Sequence, residues 1–376
     1  MAGIYIHIPF CKQACFYCDF HFSTSLKHSG DMVEALMKEI QLRKLEVNEP
    51  IETIYFGGGT PSLFGKEAFD SLFQSLYNEF EISESAEITL EANPDDLSEE
   101  KIRELSNSPI NRLSIGVQSF FPEHLKLMNR AHTTDQAHSS LKLATKYFEN
   151  ITVDLIYGIP KMTIDEWDYN LNQVLRYNIP HISCYALTVE PNTALASFIK
   201  KGTYPPVDET VALTHFDYLR KKSRSNGFVH YEISNLGLPG YFSKHNTSYW
   251  KGDIYLGIGP SAHSFDGIQR SWNISNNVKY LKAIKEGQLP SETEQLSITD
   301  RYNEYIMTGL RTIWGVSLTE VENRFGEMYT QFLMSEAQPK IEASILKFET
   351  GKLSVLENSR FLSDGIASDL FYIDDQ

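Results

Sequence analysis

The sequence predicts an α/β protein built on a parallel sheet and backed by a smaller α+β unit, and three observations carry that expectation. Short β-rich runs recur at Ile4–Ile8, Thr53–Phe56, Glu87–Leu90, Arg112–Val117, Thr152–Ile156 and His181–Leu187. The stretches between them place apolar residues at helical spacing, as in Asp31–Ile40 and Asp165–Leu175. Such stretches read as helical crossovers, which parallel strands require. From about residue 200 the alternation gives way to a different pattern.

Taken in order, the first run leads into Pro9-Phe10-Cys11-Lys12-Gln13-Ala14-Cys15-Phe16-Tyr17-Cys18-Asp19-Phe20. The second ends in Gly57-Gly58-Gly59-Thr60-Pro61, the third in Glu91-Ala92-Asn93-Pro94 and the fourth in Gln118-Ser119. The fifth carries Asp154 and ends in Tyr157-Gly158, and the sixth holds Tyr185-Ala186. Polar and glycine-rich pieces thus gather at the carboxyl ends of the strands, the edge where such sheets carry their sites. Lys200–Pro206 is a turn-rich connector; a helix follows, with strand-like pieces at Val229–Ile233 and Asp253–Gly259. Helices over Ile298–Thr312 and Glu327–Lys347 then lead to a strand pair around Leu353–Leu356. The expected division is 1–200 for the sheet, 201–289 for a connecting α/β segment packed on it, and 290–376 for a mainly helical, winged-helix-like α+β domain.

The 376 residues are 41% hydrophobic, enough to bury a large core. With 34 basic against 49 acidic residues the net charge is -15, and no basic stripe stands out, which argues against a nucleic-acid partner held through its phosphates. Nothing at the start reads as a signal peptide and no apolar run reaches membrane-spanning length, so no transmembrane segment and a cytoplasmic location are expected. A reducing compartment keeps thiols available as metal ligands.

Cys11, Cys15 and Cys18 are three of four cysteines, and the other, Cys184, lies in a distant apolar run where it reads as a buried structural thiol. Three thiolates so close in sequence can converge on one soft metal centre, and an odd number cannot close internally as disulfides. Zinc sites usually pair one cysteine knuckle with a second, and this chain has none further along. A 4Fe-4S cube takes one ligand per iron, so three cysteines leave one iron open. A Cys3His zinc site with His7 or His21 as fourth ligand is the alternative. Gly57-Gly58-Gly59 lets the backbone approach a ligand closely, or simply makes a tight turn between strand and helix. No GxxxxGK[ST] pattern is present, so a nucleoside triphosphate site is unsupported. Glu91, Gln118, Arg130 and Asp154 are polar candidates on the same edge. Carboxylates accept from hydroxyl and ammonium groups and Arg130 can fork onto a carboxylate, although each alone is equally a solvated or capping group.

The C-x3-C-x2-C spacing resembles the signature loop of the radical S-adenosylmethionine (SAM) superfamily. That resemblance implies a partial (β/α)6 barrel, a 4Fe-4S cluster on Cys11, Cys15 and Cys18, and SAM chelating the open iron through its amino and carboxylate groups. In that superfamily an electron from the cluster cleaves the sulfonium to give a 5'-deoxyadenosyl radical. More closely, Tyr5–Cys11, Gly57–Ser62, Ser114–Phe120 and Val153–Pro160 resemble the oxygen-independent coproporphyrinogen III oxidase group. The likeness implies SAM contacts at Tyr5, Tyr17, Gly58, Gly59, Thr60, Glu91, Gln118, Arg130, Asp154 and Ala186.

Two departures point away from the oxidase, whose radical chemistry decarboxylates propionate side chains. The oxidases carry a fourth cysteine two residues after the third, where this chain has Phe20, and an N-terminal extension, where this chain has ten residues before Cys11. Both fit the HemW branch of the group, regarded as haem chaperones. His245-Asn246-Thr247-Ser248-Tyr249-Trp250 fits the HNxxYW pattern of that branch, linked there to haem binding. A neutral imidazole ligates iron and the two aromatic rings offer flat faces to a porphyrin, while a histidine beside aromatics is equally an ordinary core residue. The expectation is a haem chaperone that passes haem from His245 to a membrane-associated or other acceptor protein, with the oxidase as the alternative. Glu232 and His263 are expected along a lower cavity or in turns between strands.

Overall fold

The computed structural model describes residues 2–373. Six strands and their crossovers come first: β1 (Ala2–Ile8), α1 (Ser29–Leu42), β2 (Ile51–Gly58), α2 (Lys66–Glu79), β3 (Ile82–Ala92), α3 (Glu99–Ser106), β4 (Arg112–Gln118), α4 (Pro122–Leu127), α5 (Thr134–Tyr147), β5 (Asn150–Tyr157), α6 (Ile164–Arg176) and β6 (His181–Ala186). Neighbours pair in parallel from β1 through β6. Strands of this kind are covered on both faces, and β4 is buried at every position. Capping boxes start two of the crossover helices, Thr133 with Gln136 in α5 and Thr163 with Glu166 in α6.

The chain then adds to the same sheet at both ends. It runs through α7 (Ala194–Lys200), α8 (Glu209–Ser225), β7 (Val229–His230), β8 (Asn235–Gly237), α9 (Lys244–Lys251), β9 (Ile254–Ile258), β10 (His263–Phe265), β11 (Gln269–Asn273), α10 (Asn277–Lys285) and β12 (Ser291–Gln295). β8 and β7 join antiparallel beyond β6, and β9 joins β1 in parallel with β10, β11 and β12 antiparallel outside it. The order is β12-β11-β10-β9-β1-β2-β3-β4-β5-β6-β8-β7. Among the described residues no pairing joins β6 back to β1, so the six-stranded unit is an open, partial barrel. The outermost strand β12 is exposed at all five positions.

The last elements are α11 (Ile298–Leu310), β13 (Val316–Ser317), α12 (Leu318–Phe325), α13 (Glu327–Glu342), β14 (Leu346–Glu349), β15 (Lys352–Val355) and α14 (Ser363–Ser368). They enclose a second core that includes Tyr302, Ile306, Val321, Leu333 and Leu353, separate from the core of the sheet. Its strands pair antiparallel as β13-β15-β14. Helix, strand, two helices and a hairpin follow one another as in a winged helix.

Two expected elements differ. The strand over Val229–Ile233 stops at His230, because Tyr231 turns into the core and its hydroxyl bonds His181 Nε2 at 2.7 Å. The helix over Glu327–Lys347 ends at Glu342: Pro339 lies in its last turn and Ser344 takes the left-handed region at φ 56°, so Lys347 falls in β14. No helix among the described residues is long and apolar enough to cross a membrane.

Candidate functional site

The cysteine loop leaves β1 and folds over the carboxyl edge of the sheet. The Ser23 N–H donates to the Pro9 carbonyl at 2.9 Å and the Cys11 N–H to the Ser23 carbonyl at 3.0 Å, which closes the loop at its base. Lys12 pairs with Asp95 at 2.9 Å and with Asp96. Gln13 donates to the Asn129 carbonyl at 2.9 Å, and Asn129 returns a bond to the Ala14 carbonyl at 2.7 Å. Gly59 shows why glycine follows β2. Its N–H donates to the Ile8 carbonyl at 2.9 Å, the Thr60 N–H donates to the Phe10 carbonyl at 2.7 Å, and a Cβ on Gly59 would lie 2.5 Å from that Phe10 oxygen. The close approach of the two backbones leaves no room for a side chain.

Cys11, Cys15 and Cys18 line one cavity of about 410 Å3 together with Tyr17, Gly58, Gly59, Thr60, Glu91, Gln118, Arg130, Asp154 and Ala186. Nine of the ten expected SAM positions therefore meet the three thiols. Tyr5 does not. It stands mid-strand, stacks on Tyr55 at 6.1 Å, shares a 3.2 Å hydrogen bond with His7 Nδ1, and lines a second cavity. His7 and His21 line that second cavity too, with His7 Nε2 bonded to the His21 carbonyl at 2.9 Å, so neither is placed as a fourth zinc ligand. Among the described residues no three potential ligands close on a single-ion position. The three thiols share one cavity.

Arg130 ties this cavity together. Nη1 donates to Cys15 Sγ and to the Tyr17 hydroxyl, each at 3.3 Å, and Nη2 donates to Asn93 Oδ1 at 2.5 Å and to the Gly116 carbonyl at 2.9 Å. Asn93 in turn donates to Thr60 Oγ1 at 3.0 Å. Burial pushes Glu91 up to about 7, opposed by the Tyr55 hydroxyl that donates to its Oε1 at 2.8 Å and reinforced by the charge of Asp154. Burial likewise raises Asp154 to about 6, against hydrogen bonds from Ser183 and Ser114 and the charge of Arg112. Two carboxyl groups that ionise near neutrality can accept from an ammonium or from sugar hydroxyls. Gln118, at the end of β4, sits at φ 64°, a conformation that side chains other than glycine seldom adopt and that concentrates at ligand sites. Sequence reasoning missed Asn93 and Tyr55, which hold Arg130 and Glu91. Their signal was position alone, Asn93 in the turn after β3 and Tyr55 within β2. Cys184 is 1% exposed in β6, and burial drives its thiol well up.

The HNxxYW segment forms α9, opened by the Ser243 side chain accepting from the Asn246 N–H and closed by Gly252 in the left-handed region. His245 is 1% exposed, stacked on Tyr55 with ring centroids 4.9 Å apart. Its Nδ1 bonds Thr53 Oγ1 and its Nε2 the Tyr249 hydroxyl, each at 2.8 Å. Burial, with the charge of Arg112, lowers it to about 3, so the ring is neutral. Both ring nitrogens are engaged, and an iron at His245 would have to displace one of these bonds. Trp250 carries the Arg311 guanidinium over its ring at 5.1 Å. His263 lines the second cavity, whereas Glu232 lines neither cavity and bridges to Thr312.

Three thiols on a loop over the open end of a parallel half-barrel are the mark of radical SAM proteins, and the radical SAM superfamily model matches residues 5–174. The solved coproporphyrinogen III oxidase (HemN) from Escherichia coli, a radical SAM enzyme, superposes with a TM-score of 0.85 over 98% of this chain and 90% of that one, at 22% identity. Heme chaperone HemW from Lactococcus lactis is 34% identical over 96% of this chain and 97% of its own length. The protein of the same name from Escherichia coli is 33% identical over 83% of this chain and 82% of its own. The chain belongs to the HemW family.

Proposed function

We propose that this chain is a haem chaperone that holds a 4Fe-4S cluster on Cys11, Cys15 and Cys18, with SAM on the fourth iron, and hands haem to an acceptor protein at a membrane or in the cytoplasm. The observation that carries the reading is likeness over nearly the whole chain to proteins named heme chaperone HemW. The donor set fits the cluster: three thiols face one cavity, and the position two residues beyond Cys18 is Phe20, which offers no fourth. When bound, cluster and SAM supply one-electron reductive chemistry. The chain's own part is to bind and orient. Arg130 fixes the Cys15 sulfur, Glu91 and Asp154 accept from the amino group or ribose hydroxyls of SAM, and the backbone at Gly58–Thr60 offers carbonyl oxygens.

One anaerobic sample with a reconstituted cluster tests the reading. Haem uptake without conversion of coproporphyrinogen III is the expected result. Steady protoporphyrinogen production overturns it, as does a protein that takes up no haem.

A further inference from the structure

We propose that haem occupies the second cavity, between the sheet and the C-terminal core, with His263 as a ligand to its iron. The inference rests on the haem-chaperone reading.

The cavity holds about 570 Å3, within the range of sites that enclose a small organic ligand, on the order of 300–1,000 Å3. One wall is α9 with the strands β9 to β11, the other is α11 and α12, and Asp19, Phe20 and His21 close it on the side of the cysteine loop. Asp19 and Phe20 also line the cysteine cavity, so the two spaces share a partition. Phe20 is 68% exposed, an unusual state for so large an apolar ring and one that a packed porphyrin face would end. Tyr249 and Tyr255, edge to face at 4.6 Å, add flat apolar wall opposite the helices.

Charge favours an anion. Although the chain carries a net charge of -15, Arg301 and Arg324 face this cavity with no carboxylate partner among the described residues. The Arg301 Nε is buried without a hydrogen bond, and the Arg324 guanidinium lies over the Tyr305 ring at 5.0 Å. Arg270 is already matched by Glu304 at 2.5 Å, which removes that acid as a competitor. Two free guanidinium groups suit the two propionates of haem.

Three histidines line the space and differ in what they have left to give. His7 has both ring nitrogens engaged, and His21 gives Nε2 to Asn277 Oδ1 at 2.6 Å. His263 is exposed, at the start of β10, and among the described residues neither of its nitrogens has a hydrogen-bond partner. Partial desolvation by the cavity wall and the charge of Arg270 lower its pKa, which favours the neutral ring that ligates iron. His245 lies behind Tyr249 and does not line the cavity.

The test titrates haem into the full chain with its cluster reconstituted and reads the absorption spectrum. Wild type is expected to show a histidine-ligated iron. His263→Gly is expected to lose that spectrum, to bind at least about tenfold more weakly, and to regain the spectrum when free imidazole is added. His245→Ala is expected to keep it. Arg301→Gln with Arg324→Gln is expected to weaken haem about tenfold while leaving the propionate dimethyl ester of haem unaffected. A wild-type spectrum and affinity in His263→Gly, or loss of the ligand in His245→Ala alone, overturns the site while the chaperone reading stands. A wild-type chain that takes up no haem overturns both.

Discussion

Arg130 touches Cys15, Tyr17, Asn93 and Gly116, and through it the thiol loop and the strand ends become one site. Replacing Cys11, Cys15 or Cys18 by Ala is expected to abolish cluster assembly, measured as iron and acid-labile sulfide per chain, whereas Cys184→Ala in the buried stretch of β6 leaves both unchanged. A second expectation concerns Glu91. Raised to about 7, it is largely protonated in the free protein below neutrality, and under the proposed function its carboxylate is the form that would accept from SAM. SAM affinity should therefore climb as pH rises from about 6 to about 8, and Glu91→Gln should flatten the climb. Calorimetric titration at the two ends of that range checks it; a flat wild-type profile removes Glu91 from SAM binding. At this scale the shared placement of the cysteines and nine rim positions was legible because most of them lie at strand ends or in the loops that leave them, where the chain's order fixes place. The surroundings of Tyr5 and His245 were not. Which way a ring points and whether its nitrogens are already engaged depend on Thr53 and Tyr55 from another strand, and no local pattern carries that.

Among the elements, α9 carries a motif whose first residue is tied into the sheet. His245 joins it to β2 through Thr53, and the His245 N–H donates to Glu87 Oε1 of β3 at 3.1 Å. His245→Ala removes two buried side-chain hydrogen bonds and leaves a void, and is expected to cost about 2–4 kcal/mol in denaturant unfolding. An unchanged midpoint would show that α9 is held by other contacts. The strands and crossovers of the half-barrel were legible because period and alternation are local. The stop of β7 at His230 was not, since it is set by where the Tyr231 hydroxyl finds His181.

For the whole molecule, the two cores meet along a seam that includes the Ile313 N–H on the Tyr231 carbonyl at 2.9 Å and Arg360 on the His230 carbonyl at 2.6 Å. The break in strand and helix alternation near residue 200 does not mark that seam, because the core of the sheet continues to Ile284 and the second begins at Tyr302. The reason is that β9 to β12 return to the β1 edge of the sheet, a pairing between segments remote in sequence. Their return also decides what the sheet's last edge looks like. An unpaired strand is a template on which another copy can polymerise, and β12 presents Ser291-Glu292-Thr293-Glu294-Gln295 there, with two carboxylates that would meet their own kind in any second copy. Glu292→Val with Glu294→Val is expected to make this edge adhesive, seen as concentration-dependent light scattering that added salt does not relieve. No rise in scattering would mean that something other than charge guards this border.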